Sequence, residues 1–287
     1  MAGFPPDFDL QYRVQRRPVI VADAVADWPA LQWTPALFAA LFGEIETAAT
    51  VQLSETGVVY LQNEKAHRRT LKVREFIEMM ESGACCYIDQ ADIDRFPGLA
   101  SACPIDTLVP AGRRFVNLWM GARTRSGLHY DSMDNFLIQC YGDKAVILAA
   151  PDDRRSLYPF ADNIAKSRID PEEPDTVRYP RAKRVTFFVG TLKPGELLYI
   201  PRGWWHFLRA SEQSISVNLW HEPALTLADE FGAICALGPA SWARITRDFI
   251  WHGVMRRPFE RRLYSPPPTG KQLYDLCATL LSGKQMS

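Results

Sequence analysis

In the stretch LKPGELLYIPRGWWHFLRA, Gly195 is followed after five residues by Pro201, after one more by Gly203, and after two more by His206. That spacing leaves the backbone little choice. Pro194–Gly195 makes a tight turn, ELLYI is long enough only for a short strand, and Pro201–Arg202–Gly203 bends the chain before the histidine. A short strand between two such turns belongs to a β-structure of short segments rather than to a helical bundle.

The same texture extends over residues 113–222. RFVNLWMG, GLHYDSMDNFLIQCYG, KAVILAAP, RVTFFVGTLKPGELLYIP and SISVNLWHEP are short β-rich runs separated by Gly, Pro and Asp turns, which predicts a sandwich or barrel. The polar, proline-rich DNIAKSRIDPEEPDTVRYPRAK reads as a long loop inserted among them, and such loops are often functional. Residues 1–112 mix helix and strand. RPVIVADAV and CCYIDQ read as strands. WTPALFAALFGE reads as a helix with Thr34 as N-cap, Pro35 at its first position and Leu37, Phe38, Leu41 and Phe42 on one face. LKVREFIEMMESG reads as a second helix, with Val73, Phe76, Ile77 and Met80 inward and Gly83 as its stop. Residues 223–287 turn helical again, with Thr226 and Asp229 positioned to cap LADEFGAICALG. SPPPTG breaks the helical pattern before KQLYDLCATLLSG.

The run GLHYDSMDNF places His129 and Asp131 two apart, and residues two apart on a strand project to the same face. A neutral imidazole and a carboxylate suit a divalent metal. By itself the pair fits an ordinary polar edge of a strand equally well. A third ligand must come from elsewhere. His67 lies in the polar EKAHRRT, His252 in an arginine-rich tail, and His221 on the face opposite Asn218 and Trp220. His206 differs: its spacing behind the Pro-x-Gly bend resembles that of the cupins, small β-barrels that place a metal-binding histidine after such a bend. Two histidines and one carboxylate leave three adjacent coordination positions open, which suits non-haem iron(II) binding a cosubstrate and dioxygen together. A structural zinc site would be closed by four ligands, usually with cysteine, and no cysteine lies near either motif.

The Gly-Pro-Gly-His spacing resembles the second conserved motif of the cupins. Over NLWMG…SGLHYDSMDNFLIQCYGDKAVILAAP…LYP…RYP…PGELLYIPRGWWH…SVNLW the chain resembles the JmjC/cupin-like iron(II)- and 2-oxoglutarate-dependent oxygenases. Within them it is most similar to a hydroxylase branch that holds an asparaginyl hydroxylase and a hydroxylase of the tRNA nucleoside wybutosine. The resemblance implies a double-stranded β-helix of cupin or jelly-roll type, mainly β with flanking helices. It divides the chain into N-terminal α/β elements (1–112), a catalytic core (113–222) and a C-terminal helical segment (223–287) that builds a homodimer. It implies that His129, Asp131 and His206 ligate iron(II). Lys144, fifteen residues after His129, matches the lysine that pairs with the distal carboxylate of 2-oxoglutarate. Tyr87 matches a tyrosine that bonds the same carboxylate, and Ser126 stands where relatives often carry threonine. Asn135 and Asn218 match inward positions near the cosubstrate, and Trp119, Met133 and Trp220 positions that line the substrate pocket. The implied reaction consumes 2-oxoglutarate and O2, yields succinate and CO2, and hydroxylates a C–H bond.

Lysine plus arginine (33) balances aspartate plus glutamate (33), so overall charge gives no sign of a nucleic-acid partner. Arg244, Arg247, Arg256, Arg257, Arg261 and Arg262 nevertheless crowd the last quarter of the chain. Such a run fits a solvated helix face, or a surface for an anionic partner such as tRNA. The six cysteines show no C-x-x-C spacing and read as reduced, buried thiols of a cytoplasmic protein. No apolar run is long enough to span a membrane. The expected substrate is a side chain in a protein or peptide. A modified tRNA nucleoside, a free amino acid or other small molecule, and a non-catalytic metal-binding cupin stand as alternatives, and demethylation is chemically the same hydroxylation followed by collapse.

Overall fold

Where β-branched and aromatic residues alternate with small or polar ones, the chain extends. β1 (Val19–Val21), β2 (Glu46–Thr50), β3 (Arg68–Lys72), β4 (Cys86–Asp92), β5 (Arg114–Arg125), β6 (Met133–Tyr141), β7 (Lys144–Ala149), β8 (Phe188–Leu192), β9 (Leu197–Ile200) and β10 (Trp205–Ala224) join in one antiparallel sheet. The structure is a computed structural model and describes residues 4–281 except 6, 54–66, 110, 111, 113, 162, 226, 236 and 260–266. Strand order is β1-β9-β6-β10-β5-β4-β2-β3, and β7 pairs with both β10 and β8. This is the jelly-roll architecture with flanking helices that the sequence predicts.

β10 organises the sheet. Its first residues, Trp205–Arg209, pair with Ala149–Ala145 on β7, and from Ile215 onward it runs between β5 and β6. The register shifts between Ala210 and Gln213, so one 20-residue strand serves two sets of partners. In sequence, RASEQS looks like a polar break between two runs. Its polar residues are those of a bulge, which bends a strand without ending it. β2 and β3 escaped the sequence pattern because ETAAT and RRTLK carry no apolar alternation. β3 is an outer strand whose residues are half-buried or exposed. RPVIVADAV yields only the three residues of β1.

Two helices border the strands. In α1 (Pro35–Phe42), Thr34 Oγ1 accepts the Leu37 N–H at 3.1 Å and Pro35 opens the first turn. Phe38 and Phe42 are buried and Leu37 half-buried, but Leu41 is 63% exposed, so the inward face is narrower than the predicted four residues. α2 (Val73–Glu81) buries Val73, Phe76, Ile77 and Met80 as expected. These side chains share one core with Phe8, Ile88, Leu118, Phe136, Tyr199 and Val217 from the N-terminal segment and the strands. Each large side chain buried there contributes about 1.5–3 kcal/mol.

The chain folds as two compact units: residues 1–149 with 187–225, and residues 150–186 with 226–287. The first is strand-built. The second groups the long loop with α3 (Leu227–Cys235), α4 (Pro239–Asp248), a π-helical turn over Phe249–Val254, and α5 (Thr269–Leu281). The texture changes at 112 and 222 do not show this grouping. Ile164 from the loop packs with Ile234, Leu237, Ile245, Trp242 and Leu273 in a small apolar cluster, which explains why the loop belongs with the helices. A Cβ on Gly270 would lie 2.1 Å from the Ile245 carbonyl oxygen, so only glycine lets α5 start against α4. The predicted Thr226 cap lies outside the described residues, as do Arg261 and Arg262. Among the described helices none is long and apolar enough to cross a membrane. Cys85, Cys86, Cys103 and Cys140 are buried free thiols, whereas Cys235 and Cys277 are exposed, contrary to the expectation for all six. Burial pushes the Cys86 and Cys140 thiols up to about 12.

Candidate metal centre

The Pro-x-Gly bend is held from three sides. Gly203 adopts φ +84°, a conformation that side-chain-bearing residues rarely take, and its N–H donates to the Asp131 carbonyl at 2.9 Å. Asp134, at 1% exposure, accepts from the Arg202 N–H (3.0 Å), the Arg202 guanidinium (3.2 Å) and the Tyr199 hydroxyl (3.0 Å). A carboxylate this buried is tolerated because each of those donors replaces water. Burial, together with the Asp134 charge, raises the Tyr199 phenol above its ordinary range. Beyond the bend, His206 exchanges both backbone hydrogen bonds with His129, at 2.7 and 3.1 Å. The two histidines are thus cross-tied through their own backbones.

One imidazole nitrogen from each of His129 and His206 and one carboxylate oxygen from Asp131 all lie within 4.8 Å of one another, and His206 Nε2 is 3.6 Å from Asp131 Oδ2. His206 is buried, and the other two are half-buried. Each ring is oriented by its second nitrogen: His129 Nδ1 contacts the Gly127 carbonyl at 2.8 Å and His206 Nδ1 the Trp204 carbonyl at 3.1 Å. A carbonyl can only accept, so these contacts place a proton on each Nδ1 and leave each Nε2 lone pair for a metal. Asp131 Oδ2 accepts from Trp220 Nε1 (2.9 Å) and Asn135 Nδ2 (3.2 Å), which fixes the carboxylate while leaving Oδ1 clear of those bonds. The donor set therefore fits one divalent ion of intermediate hardness. Among the described residues this is the one such group. Asp131 does not reach it from a paired strand, as its two-residue spacing from His129 suggests. Residues 130–132 do not pair in the sheet; only His129 forms an isolated bridge, and β6 begins at Met133.

A row of polar side chains continues from the centre along β10. Asn218 Nδ2 donates to Asn135 Oδ1 at 3.2 Å, and Asn218 Oδ1 accepts from Trp119 Nε1 (2.7 Å) and Asn117 Nδ2 (3.1 Å). Trp119 in turn meets Trp220 edge-on at 6.3 Å and Tyr87 at 5.6 Å between ring centroids. Two residues back from Asn218 on β10, Ser216 Oγ receives the Lys144 ammonium at 2.5 Å and donates to Gln139 Oε1 at 2.7 Å. Lys144 is 2% exposed, and among the described residues no carboxylate pairs with it. Desolvation pulls its pKa down to about 8. A buried lysine without a carboxylate partner could hold the anionic end of a ligand.

Of the remaining predicted residues, Tyr87 touches this row through Trp119. Ser126 Oγ accepts the Leu208 N–H at 2.9 Å, which leaves its proton to donate. Tyr87 is half-buried against Trp119, and burial raises its phenol well above the ordinary range. Met133 is half-buried at the start of β6. Trp119 and Trp220 are half-buried and serve as hydrogen-bond donors within the site as well as surfaces. Trp205 is fully buried against Tyr130, while half-buried Trp204 donates to the Arg16 carbonyl at 2.8 Å. His221 is buried away from the cluster, His67 Nδ1 contacts the Val51 carbonyl, and His252 Nδ1 contacts the Arg257 carbonyl. Sequence reasoning missed Asn117, Gln139, Ser216 and the Asp134–Arg202–Tyr199 trio. Gln139 and Ser216 were accessible by parity, since each sits an even number of residues from Asn135 or Asn218. Asp134 has the opposite parity, and nothing in the sequence paired it with Arg202.

Comparison with known proteins agrees with this geometry. A family model described as a cupin-like domain matches residues 5–226. Jumonji C domain-containing protein 5 of Drosophila melanogaster is 32% identical over 226 residues, covering 72% of this chain and 55% of the relative. Lysine-specific demethylase 8 of Xenopus tropicalis is 31% identical over 222 residues, covering 73% and 49%. The human bifunctional peptidase and (3S)-lysyl hydroxylase JMJD7 is 25% identical over 260 residues, covering 76% and 81%. The chain spans about half the length of the first two relatives. The X-ray structure of E. coli ycfD shares the fold at a TM-score of 0.51 and 16% identity, covering 96% of this chain and 66% of that one. The chain belongs to the JmjC/cupin-like family of iron(II)- and 2-oxoglutarate-dependent oxygenases.

Proposed function

For a member of this family, we propose a 2-oxoglutarate-dependent dioxygenase that hydroxylates a C–H bond of a protein or peptide side chain, with residues 113–222 as its catalytic core. One observation carries the reading: a two-histidine, one-carboxylate centre stands in the same polar row as a buried lysine that lacks an anion. Bound at His129, Asp131 and His206, iron(II) supplies the oxygen-activating chemistry that turns 2-oxoglutarate and O2 into succinate and CO2. The chain's part is placement. Lys144 and the hydroxyls of Ser126, Ser216 and Tyr87 hold the far carboxylate of the cosubstrate. Trp220 and Asn135 fix Asp131, and Asn218 with Trp119 fixes Asn135. Met133, Trp119 and Trp220 border the space a substrate side chain enters.

Support for a protein substrate comes from a relative named as a lysyl hydroxylase and another named as a lysine-specific demethylase. The second name favours a further reading, removal of an N-methyl group, because hydroxylation of that methyl carbon collapses to the free amine and formaldehyde. Conversion of 2-oxoglutarate to succinate by the purified protein with iron(II) is the test. Turnover falls to background in His129→Ala and Asp131→Ala; undiminished turnover in both rules the reading out, and no turnover in the unmodified protein favours a non-catalytic cupin. Mass spectrometry of a peptide library separates the products: a gain of one oxygen marks hydroxylation, and loss of a methyl group marks demethylation. Turnover coupled only to tRNA or to a free amino acid would reassign the substrate. We also propose a homodimer through the C-terminal helices, where Ile250 (45%), Trp251 (44%), Val254 (56%) and Met255 (51%) are exposed within six residues.

A further inference from the structure

The helical unit holds a concave site that shares no residue with the metal centre. A cavity of about 390 Å³ opens between the 150–186 segment and the start of α4, and Arg155, Arg168, Arg178, Arg181, Tyr158 and Tyr179 line it together with Gly238–Ser241. Four arginines thus border one space, and among the lining residues none is acidic.

Three of the arginines are held against aromatic rings. Arg181 lies over the Tyr158 ring at 4.4 Å, Arg178 over Tyr179 at 5.3 Å and Arg168 over Phe160 at 4.7 Å. Stacking covers one face of each guanidinium and leaves its N–H edge directed outward for an acceptor. The two tyrosines pack on each other at 5.0 Å, and the Tyr158 hydroxyl accepts the Arg181 N–H at 3.1 Å, tying both sides of the cavity. Tyr158 itself sits at φ +48°, a strained conformation for an aromatic residue. The opposite wall is the N-terminus of the 10-residue α4, whose dipole adds positive potential.

This arrangement selects among anions. The three ring-held arginines carry more positive charge than one carboxylate neutralises, and the volume falls in the range of small-molecule sites rather than that of a single ion. The tyrosine faces are already covered by guanidinium groups, so the site has phosphate-binding edges but no open ring on which a base would stack. We propose that this cavity is a binding site for a small polyphosphorylated molecule carrying at least two phosphate groups. Guanidinium edges match phosphate oxygens in pairs, which is why this chemistry recurs wherever phosphate is recognised.

Titration calorimetry of the full chain with inorganic pyrophosphate, at fixed ionic strength, tests the site. The expected result is saturable one-to-one binding, tighter than sulfate, that weakens by about tenfold or more in Arg178→Gln/Arg181→Gln. Arg168→Gln, made separately, shifts affinity in the same direction, and Arg256→Gln, outside the cavity, leaves it unchanged. Binding no tighter than sulfate, or unaffected by the double variant, overturns the proposal. So does tight binding of a single-stranded RNA that pyrophosphate fails to displace, since that places the recognition in a longer polyanion.

Discussion

The two units handle polar side chains in opposite ways. In the strand-built unit, Asp131, Asn135, Asn218, Trp119 and Trp220 are half-buried or buried and bonded to one another, and Asp134 is locked to Arg202 and Tyr199. In the helical unit the arginines stay at the surface, stacked on aromatic rings: Arg181 on Tyr158, Arg178 on Tyr179, and Arg247 and Arg257 on Trp251. The first pattern fixes atoms to a fraction of an ångström, as a metal and a reacting carbon require. The second holds charge in a chosen direction at small desolvation cost, as binding an anion requires. The interlocked row is thus carried by strands and the bend beside them, and the ring-held arginines by helices and a loop.

The strongest way to break this contrast is at Lys144, the buried cation of the row, with which no carboxylate pairs among the described residues. Lys144→Ala is expected to weaken 2-oxoglutarate by about a hundredfold or more, because it leaves a carboxylate buried without a partner. Affinity for the metal alone should not change. The same lysine gives a signature in pH. Its pKa is lowered to about 8, chiefly by desolvation, from an ordinary value of 10.5. Between those values the unfolded chain binds more protons than the folded one, so stability without cosubstrate rises with pH across that window, by about 3 kcal/mol in all. Cosubstrate affinity moves the other way, because the dicarboxylate needs the charged lysine; it falls by up to about tenfold per unit above pH 8. Urea melts and 2-oxoglutarate titrations across pH 7–10 read both trends, and each should disappear in Lys144→Ala. A flat titration in the unmodified protein would remove Lys144 from the cosubstrate site.

A smaller effect is expected one bond away from the metal. Trp220→Phe keeps an aromatic ring but removes the donor that holds Asp131 Oδ2. Loss of an orienting partner of this kind typically costs about 10–100-fold in metal affinity. Competition with a chelator measures it, and Asn135→Ala should shift affinity in the same direction. Equal affinity in Trp220→Phe would mean that the carboxylate is placed without it, by the Asn135 amide and the Gly203 N–H bond to the Asp131 carbonyl.

The same contrast explains what the sequence discloses. His129, Asp131 and His206 were legible because a bend coded by Pro201 and Gly203 and a two-residue spacing are local facts. Lys144, Asn135, Asn218 and Trp220 followed from parity and family resemblance. Asn117, Gln139 and Ser216 went unnoticed because parity gives the face a polar strand residue occupies but not the neighbour it will meet; their partners lie 72–101 residues away in sequence. The bulge in β10 was read as a break for the same reason. In the helical unit even the grouping was hidden, since Ile164 of a polar loop gives no sign that it packs on Ile234 and Leu237.

The smallest expected effect on chemistry lies at the exposed end of the helical unit. Ile250, Val254 and Met255 are apolar and about half exposed, a density of apolar surface that fits pairing of two chains better than contact with water. Ile250→Asp/Val254→Asp should leave the metal site, and 2-oxoglutarate affinity, unchanged, because neither side chain is part of the hydrogen-bonded row. As surface changes they should alter the stability of the single chain by no more than about 0.5 kcal/mol. The mass in solution should halve, read by light scattering at micromolar concentration. A single-chain mass for the unmodified protein would overturn the pairing. A loss of 2-oxoglutarate binding in the double variant would break the comparison itself, because the helical unit would then be shaping the strand-built site and not merely accompanying it.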